Sequence, residues 1–385
     1  MHIAAYYEFF IQAKIISGNK AMEQLPVELD SYNSRKPFAI MSKKIAKSAS
    51  GKKFIKALYD SNVIIGAMYD NVPDYASISM IKELAVLFRN RGCDSIIVIG
   101  DGAVMDVGRG VNILVSQKDD DLLKYAGKNI LKKSLKPLIY IPTSTSTGYE
   151  SSNLAIIEAR EFSSDFLYPD IICIDPRITV KNCSQCVAES AMVALTHSIE
   201  IFAVPVINPV TDSYALASIQ YIYENLEKAV KRSGNKEARL AIANAEVMAG
   251  IAFSNSTAGM AHSLGVAMAD STGLSQGVCM GILLPYCLEF MLYKKNTIRD
   301  ILLFAIAGHD VYSETPEDER IQKSFNMLHR FHQNFKKLLP QTFEQVNVPE
   351  YKMTEAALRA AGSNKKLMID DCLIVLEHAY HGKPI

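Results

Sequence analysis

MAGIAFSNSTAGMAHSLGVAMADSTGLSQGVCMGILLPYCLEF, residues 248–290, is almost free of charge. Gly and Pro interrupt it too often for one apolar helix to cross a membrane. It therefore predicts helices buried on all sides within a large domain. One histidine, His262, sits inside the run between small residues: Ala258, Gly259, Ala261, Ser263 and Gly265. Such neighbours leave room beside an imidazole, which a bound ion or substrate requires. The alternative is a core histidine whose ring nitrogens are satisfied by backbone.

Helical periodicity extends outward from this stretch on both sides. Segments near 188–203, 211–231, 236–253, 257–269, 277–293, 298–308, 317–338, 353–361 and 370–380 read as helices, with no convincing strand after Val187. Before Asp175 the texture differs. Short apolar runs at Pro37–Met41, Val63–Gly66, Ser95–Ile99, Leu138–Ile141 and Ile171–Ile174 read as strands, and a helical pattern from Ile78 to Arg91 stops at Gly92. Strands alternating with helices predict a parallel sheet covered on both faces. The expected architecture is α/β plus all-α: a Rossmann-like parallel-sheet domain over residues 1–180 and a helical metal and substrate domain over 181–385. Neither an internal repeat nor a low-complexity linker is visible, which predicts a tight interface with a cleft.

The chain has 385 residues, enough for two domains. Its 41 basic and 41 acidic side chains balance, so no global field draws nucleic acid or an anionic membrane. The opening MHIAAYYEFF lacks the features of a signal peptide. Seven cysteines, an odd number, lie mostly in apolar segments, where a thiol behaves as a small hydrophobe. A cytoplasmic protein is expected. Cys183 and Cys186 form a single CxxC without a second pair, which excludes a zinc ribbon and reads as two thiols near a helix start.

Gly100-Asp101-Gly102-Ala103 joins a strand to a helix, where backbone N–H groups and the helix dipole can hold a phosphate. The third glycine of the usual dinucleotide fingerprint is replaced by Met105. Asp101 places a carboxylate where a pyrophosphate would lie, unless it turns away or caps the helix. The turn Thr143-Ser144-Thr145-Ser146-Thr147-Gly148 follows a second buried strand and is rich in hydroxyl donors. Two such loops at one end of a parallel sheet predict a nucleotide crevice. After the first strand, an acidic residue would hold a ribose 2′-OH, whereas Ser42-Lys43-Lys44 suits a 2′-phosphate. NADP(H) is thereby favoured over NAD(H). In the helical half, His197 and His262 lie on separate apolar helices, and Gln276 follows on a Gly-flanked turn. Two imidazoles converging opposite a nucleotide can hold a divalent ion or polarise a carbonyl directly.

These segments occur together and in order, and over nearly its whole length the chain resembles the iron-containing (group III) alcohol dehydrogenases. The carriers are GDGAVMD (100–106) for the family's GGGSxxD, IPTSTSTGYE (141–150) for IPTTAGTGSE, PDIICIDPRIT (169–179), and AMVALTHSIE (191–200) for GMDALTHAIE. AGIAFSNSTAGMAHSLG (249–265) and GLSQGVCMGILLPYCLEF (273–290) continue the match. The resemblance implies a Rossmann-like domain and a helical domain, NAD(P)H between them, a divalent metal below the nicotinamide, and a homodimer or larger homo-oligomer. It also implies cofactor contacts from Ser42, Gly100, Asp101, Gly102, Ala103, Asp106, Thr143, Ser144 and Thr147.

The chain departs from the family at the metal. One Asp and three His hold it there; carried over, the Asp falls on Val193 and the histidines on His197, His262 and Gln276. A further family histidine becomes Val266. Two imidazoles and a neutral amide are a weak set for Fe²⁺ or Zn²⁺. Weak or absent metal binding is expected, with His262, His197 and Gln276 as polar donors to a carbonyl. Phe253, Met260, Met268 and Leu274 are expected to wall the substrate site. With no Lys or Arg over 253–292, they favour a short uncharged aldehyde or alcohol and disfavour maleylacetate, the substrate of the family's metal-independent branch. The expected activity is NAD(P)H-dependent aldehyde reduction or alcohol oxidation. The alternative is a non-catalytic relative that keeps the fold and the nucleotide.

Overall fold

Pro37–Ser42 (β2), Ser95–Gly100 (β4), Leu138–Pro142 (β6) and Ile171–Ile174 (β9) are buried almost without a break. Strands of this kind need cover on both faces, and that requirement builds the first unit. A computed structural model describes the chain over residues 6–385, apart from 60, 74, 101, 144–147, 149–150, 159, 179–182, 205–206, 233 and 296–297. It divides into two compact units, one of residues 11–183 and 234–247, the other of 1–10, 184–233 and 248–385.

The first unit holds a six-stranded sheet in the order β1-β9-β6-β4-β2-β3, where Lys14–Ser17 is β1 and Ala67–Val72 is β3. Every pairing in it is parallel. Helices Leu25–Ser31 (α1), Lys43–Ala46 (α2), Ala49–Tyr59 (α3), Ile78–Arg91 (α4) and Gly102–Gln117 (α5) belong to this half. Ser77 caps α4 through Met80 N, and Gly92, in the left-handed region at φ 63°, ends it. A small second sheet sets Gly127–Lys128 (β5) beside Arg160–Ser163 (β8) and Leu154–Ile157 (β7).

One expected strand is displaced. Val63–Gly66 is a connector, with Ile64 N donating to Arg35 O and Gly66 N to Pro37 O, and the ladder to β2 begins at Phe38–Ala67. Val63 drops into the core below the sheet. The edge strand β3 alternates exposed and half-buried residues, so polar Asp70 and Asn71 are tolerated there and no apolar run marks it.

The second unit is helical: Ser184–Ile201 (α6), Pro209–Lys231 (α7), Lys236–Ser254 (α8, whose start lies in the first unit), Met260–Thr272 (α9), Gln276–Tyr293 (α10), Ile301–Glu314 (α11), Arg320–Asn334 (α12), Tyr351–Ser363 (α13) and Ile369–His381 (α14). Residues 6–10 join it because Phe10 and Asn255 exchange two hydrogen bonds, Phe10 N to Oδ1 at 2.7 Å and Nδ2 to Phe10 O at 2.9 Å.

Gly259 and Gly273 bound α9 and break the 248–290 stretch into separate helices, as the sequence predicts. α10 by itself is one helix with Pro285 inside, long and apolar enough by length and composition to cross a membrane. It is 72% buried within the protein, as expected of a core helix. Cys183 and Cys186 are not free thiols but are disulfide-bonded, while the other five cysteines are free and buried. The CxxC spacing that straddles a helix start brings its two sulfurs within bonding reach.

Candidate active site

In the first unit the chain leaves β2 for β3 on one side of the sheet, and leaves β4 for β6 on the other. The adjacent strands β2 and β4 therefore flank the point where the strand order reverses, the place where open parallel sheets bind ligands. Register sets the groups there. Met41 pairs with Ile99 and Gly100 with Pro142, so Ser42, Gly100 and Pro142 end three neighbouring strands at one level, with Thr143 the next residue beyond.

Ser42 caps α2, its hydroxyl accepting from Ile45 N. Gly100 leaves no space for a side chain, because a Cβ there would meet Val104 at 2.9 Å, and its carbonyl accepts from the buried Tyr140 hydroxyl. Gly102 starts α5 at φ 30°, and among the described residues nothing lies within 4 Å of a Cβ position there. That helix N-terminus beside two strand ends fits a nucleotide phosphate. Ala103 is half-buried in the first turn, and Thr143 is buried. Asp101, Ser144 and Thr147 lie outside the described residues.

Asp106 is placed differently from the rest. Its carboxyl accepts from the Ile156 backbone and lies in the field of Arg109, and burial pushes it up to about 7. Arg109 itself, fully buried, donates to the carbonyls of Leu167, Leu154 and Ser152. The two side chains thus fasten α5 to the β7–β8 hairpin. Beyond the ends of β2 and β3 lies a cavity of about 400 Å³ lined by Lys43, Tyr69, Asn71, Ser79, Met80 and Glu83.

In the second unit, α6 carries His197 and α9 carries His262, and the rings meet: His197 Nε2 lies 3.0 Å from His262 Nδ1. Phe253 of α8 stacks on His197 at 4.1 Å between centroids and tilts against His262 at 4.6 Å. Burial pushes the His262 imidazole down to about 4; burial, then the neighbouring His262, holds His197 well below the ordinary histidine range. Both are neutral at pH 7. His197 Nδ1 is buried without a hydrogen-bond partner. An unpaired acceptor costs less than an orphaned N–H, so the proton belongs on His197 Nε2, donating to His262 Nδ1. The remaining proton of His262 is then on Nε2, a donor on a residue that keeps 9% of its surface exposed.

Gln276 makes no hydrogen bond to either ring through Oε1. It opens α10, where Gly277 packs against the Glu189 backbone, and its Oε1 is buried with no hydrogen-bond partner. Val193, one turn before His197, is 1% exposed. Among the described residues no three His, Cys, Asp or Glu side chains are grouped to hold a metal. With one nitrogen of each histidine turned on the other and valine in the carboxylate's place, this donor set does not fit a resident divalent ion.

The room expected around His262 is partly taken, and what remains lies beside Ala258, Gly259 and Met260 as a cavity of about 410 Å³ that Glu200 and Lys294 also line. Gly259 faces the Glu200 carboxylate, Gly265 packs on Met280, and Ser263 donates to Gly259 O while Asn364 Nδ2 reaches its hydroxyl at 3.1 Å. Met268 is wholly buried and walls no open surface, whereas Phe253, Met260 and Leu274 are half-buried. Glu200 escapes a reading of the sequence, although it is three residues from His197. It is 6% exposed, burial pushes its carboxyl up to about 7, and it accepts from the backbone N–H of Ala261 and His262. A lone acid in an otherwise apolar helix end was the available signal.

A glycine-flanked strand-to-helix turn at a parallel-sheet switch point, in a chain whose helical half buries two paired imidazoles, fits a nucleotide-binding enzyme. Residues 12–176 match the family model for iron-containing alcohol dehydrogenase, and 187–371 match that for the C-terminal part of Fe-containing alcohol dehydrogenases. The chain belongs to the iron-containing alcohol dehydrogenase family, as an alcohol dehydrogenase-type enzyme. It is 26% identical over 348 residues to the NAD-dependent methanol dehydrogenase of Bacillus methanolicus, covering 89% of this chain and 90% of that one. It is also 26% identical over 367 residues to long-chain-alcohol dehydrogenase 1 of Geobacillus thermodenitrificans, covering 94% and 91%. The alcohol dehydrogenase from Oenococcus oeni has the same fold, with a TM-score of 0.88 at 24% identity over 97% of this chain and all of that one.

Proposed function

We propose that this enzyme is an NADP(H)-preferring reductase of small uncharged aldehydes that works without a resident metal. The observation that carries the reading is the 3.0 Å contact between His197 and His262. Bound nicotinamide supplies the hydride. His262 Nε2–H donates to the carbonyl oxygen and stabilises the alkoxide as it forms, the work a metal does elsewhere. A neutral imidazole suits this role, since it polarises the carbonyl without needing to be charged at pH 7. His197 holds the tautomer, Phe253 holds the ring plane, and the proton that completes the alcohol comes from solvent. Gln276, with an unpartnered Oε1, is the further polar group of the site.

The cofactor preference rests on Ser42 and Lys43. No acid follows β2 to bond a ribose 2′-OH, and Lys43 lines the cavity at the strand ends, although Glu83 lines it too. Gly100, Gly102, Ala103 and Thr143, with Asp101, Ser144 and Thr147, form the phosphate-binding set, which Asp106 supports from behind. The protein is proposed to act in the cytoplasm as a homodimer or larger homo-oligomer.

The test is oxidation of NADPH with a panel of short aliphatic aldehydes, before and after exhaustive chelation. Turnover that survives chelation supports the reading. Nucleotide binding without turnover of any aldehyde, metal added or not, would leave a non-catalytic relative.

A further inference from the structure

The first turn of α9 has buried amide donors and no local side chain to receive them. Its N-cap is Gly259, which makes no side-chain cap, in an extended conformation at φ −89°, ψ −170°. A helix start normally finds its acceptor in a Ser, Thr, Asp or Asn at that position. Here the acceptor comes from another helix. Glu200 Oε1 accepts from Ala261 N at 2.6 Å, and Oε2 from His262 N at 3.3 Å. A Cβ at Gly259 would meet the Glu200 carboxylate, so any other residue there has to displace that side chain. Asn364 holds the same turn from α13's end, donating to Ala258 O at 3.2 Å and Ser263 Oγ at 3.1 Å.

Glu200 and His197 lie one turn apart on α6. That helix therefore touches α9 twice, through imidazole on imidazole and through carboxylate on backbone. The second contact sets the rotation and height of α9, and with them where the His262 ring stands relative to His197.

We propose that Glu200 is a positioning residue: its carboxylate, serving as the N-cap of α9 from α6, holds His262 in register with His197. The inference rests on the proposed role of the histidine pair and adds what fixes it. A donor displaced by about an ångström costs on the order of a hundredfold in rate, so the cap acts on turnover and leaves the nucleotide loop of the other unit alone.

The experiment moves the cap. Glu200→Ala should lower kcat roughly tenfold to a hundredfold with the Kd for NADPH unchanged within about twofold. It should also raise deuterium uptake across 257–268 and shift the His262 imidazole ¹⁵N resonances. Gly259→Ser alone should destabilise the fold, because Glu200 occupies the space. In the double variant Glu200→Ala/Gly259→Ser the space is free, the backbone is already extended as an N-cap requires, and the serine hydroxyl can accept from the first turn. This variant should recover exchange protection and several-fold in kcat over Glu200→Ala. Unchanged His262 resonances in Glu200→Ala, or a double variant no better than the single one, would overturn the proposal. Exchange and resonances report on the cap even if the wild-type enzyme reduces no aldehyde, so a failed reductase reading is not confused with a failed cap.

Discussion

Ser42 and Gly100 stand side by side, each the next residue beyond the Met41–Ile99 pair of adjacent parallel strands. One begins α2 as its cap and the other leads into the start of α5, so a nucleotide bridging them would meet both at once. Asp caps a helix as well as Ser does. Ser42→Asp should therefore leave stability unchanged while placing an anion where a 2′-phosphate would lie. The expected result is a fall in kcat/KM with NADPH relative to NADH of about tenfold or more, roughly 1.4 kcal/mol. An unaltered NADPH to NADH ratio would remove Ser42 from the recognition of the ribose.

The histidines should not be equal in their effect. His262→Phe keeps the aromatic packing on Phe253 but deletes the donor, and kcat should drop about a hundredfold to a thousandfold, as when one alkoxide-stabilising donor is lost. His197→Phe leaves His262 in place and frees only its tautomer, so a loss of roughly tenfold is expected. Steady-state aldehyde reduction by both variants, with NADPH affinity measured alongside, decides the order. Equal losses would mean that both rings touch the substrate.

Much of this arrangement can be read without coordinates, for identifiable reasons. Ser95–Gly100 is buried at every position, and burial on both faces leaves a continuous apolar run that no helix of that length needs. The edge strand Ala67–Val72 carries no such mark, because only part of it meets the core, and the apolar Val63–Ile65 before it imitates a strand. The helices of the second half declare themselves by period. What their sequences do not declare is contact between them: His197 and His262 are 65 residues apart, and nothing local says that the rings share a proton. Glu200 is hidden for the same reason, since its partners, the amides of Ala261 and His262, are backbone groups that every residue possesses. The small residues beside His262 look like room for a ligand, and Glu200 and Met280 fill only part of it: a cavity stays open beside Ala258, Gly259 and Met260.

The family's metal should be recoverable. Val193 is buried one turn before His197, and Gln276 begins the helix packed against that part of α6. Val193→Asp alone buries a carboxylate in an apolar position and should destabilise the fold by several kcal/mol when no metal is present. Combined with Gln276→His it supplies one anion and a third imidazole. Elemental analysis should then find close to one Fe²⁺ or Zn²⁺ per chain, against a small fraction for the wild type, and added metal should raise Tm in the variant only. Stoichiometric metal in the wild type that survives dialysis would contradict the metal-free reading.

Asp106 should give the stability curve a slope of known sign. Burial raises its carboxyl from 3.8 to about 7, against the opposing pull of Arg109 and the Ile156 amide. A raised acid holds its proton more tightly when folded than when unfolded. Its contribution is complete below about pH 4 and is lost as pH climbs through 7, where the folded carboxyl ionises. Asp106→Asn keeps an acceptor for the Ile156 amide and cannot ionise. The stability of Asp106→Asn relative to wild type should therefore rise between pH 4 and 7 by an amount on the order of 4 kcal/mol, then level off. Glu200, also raised to about 7, tilts the curve the same way, and His262 and His332, lowered to about 4, tilt it the other way. All three are present in both proteins and cancel in the difference. Urea denaturation at pH 4.5, 6 and 7.5 reads it. A difference that does not change with pH would show Asp106 ionised throughout, paired with Arg109 as a charge and not held as a neutral acid.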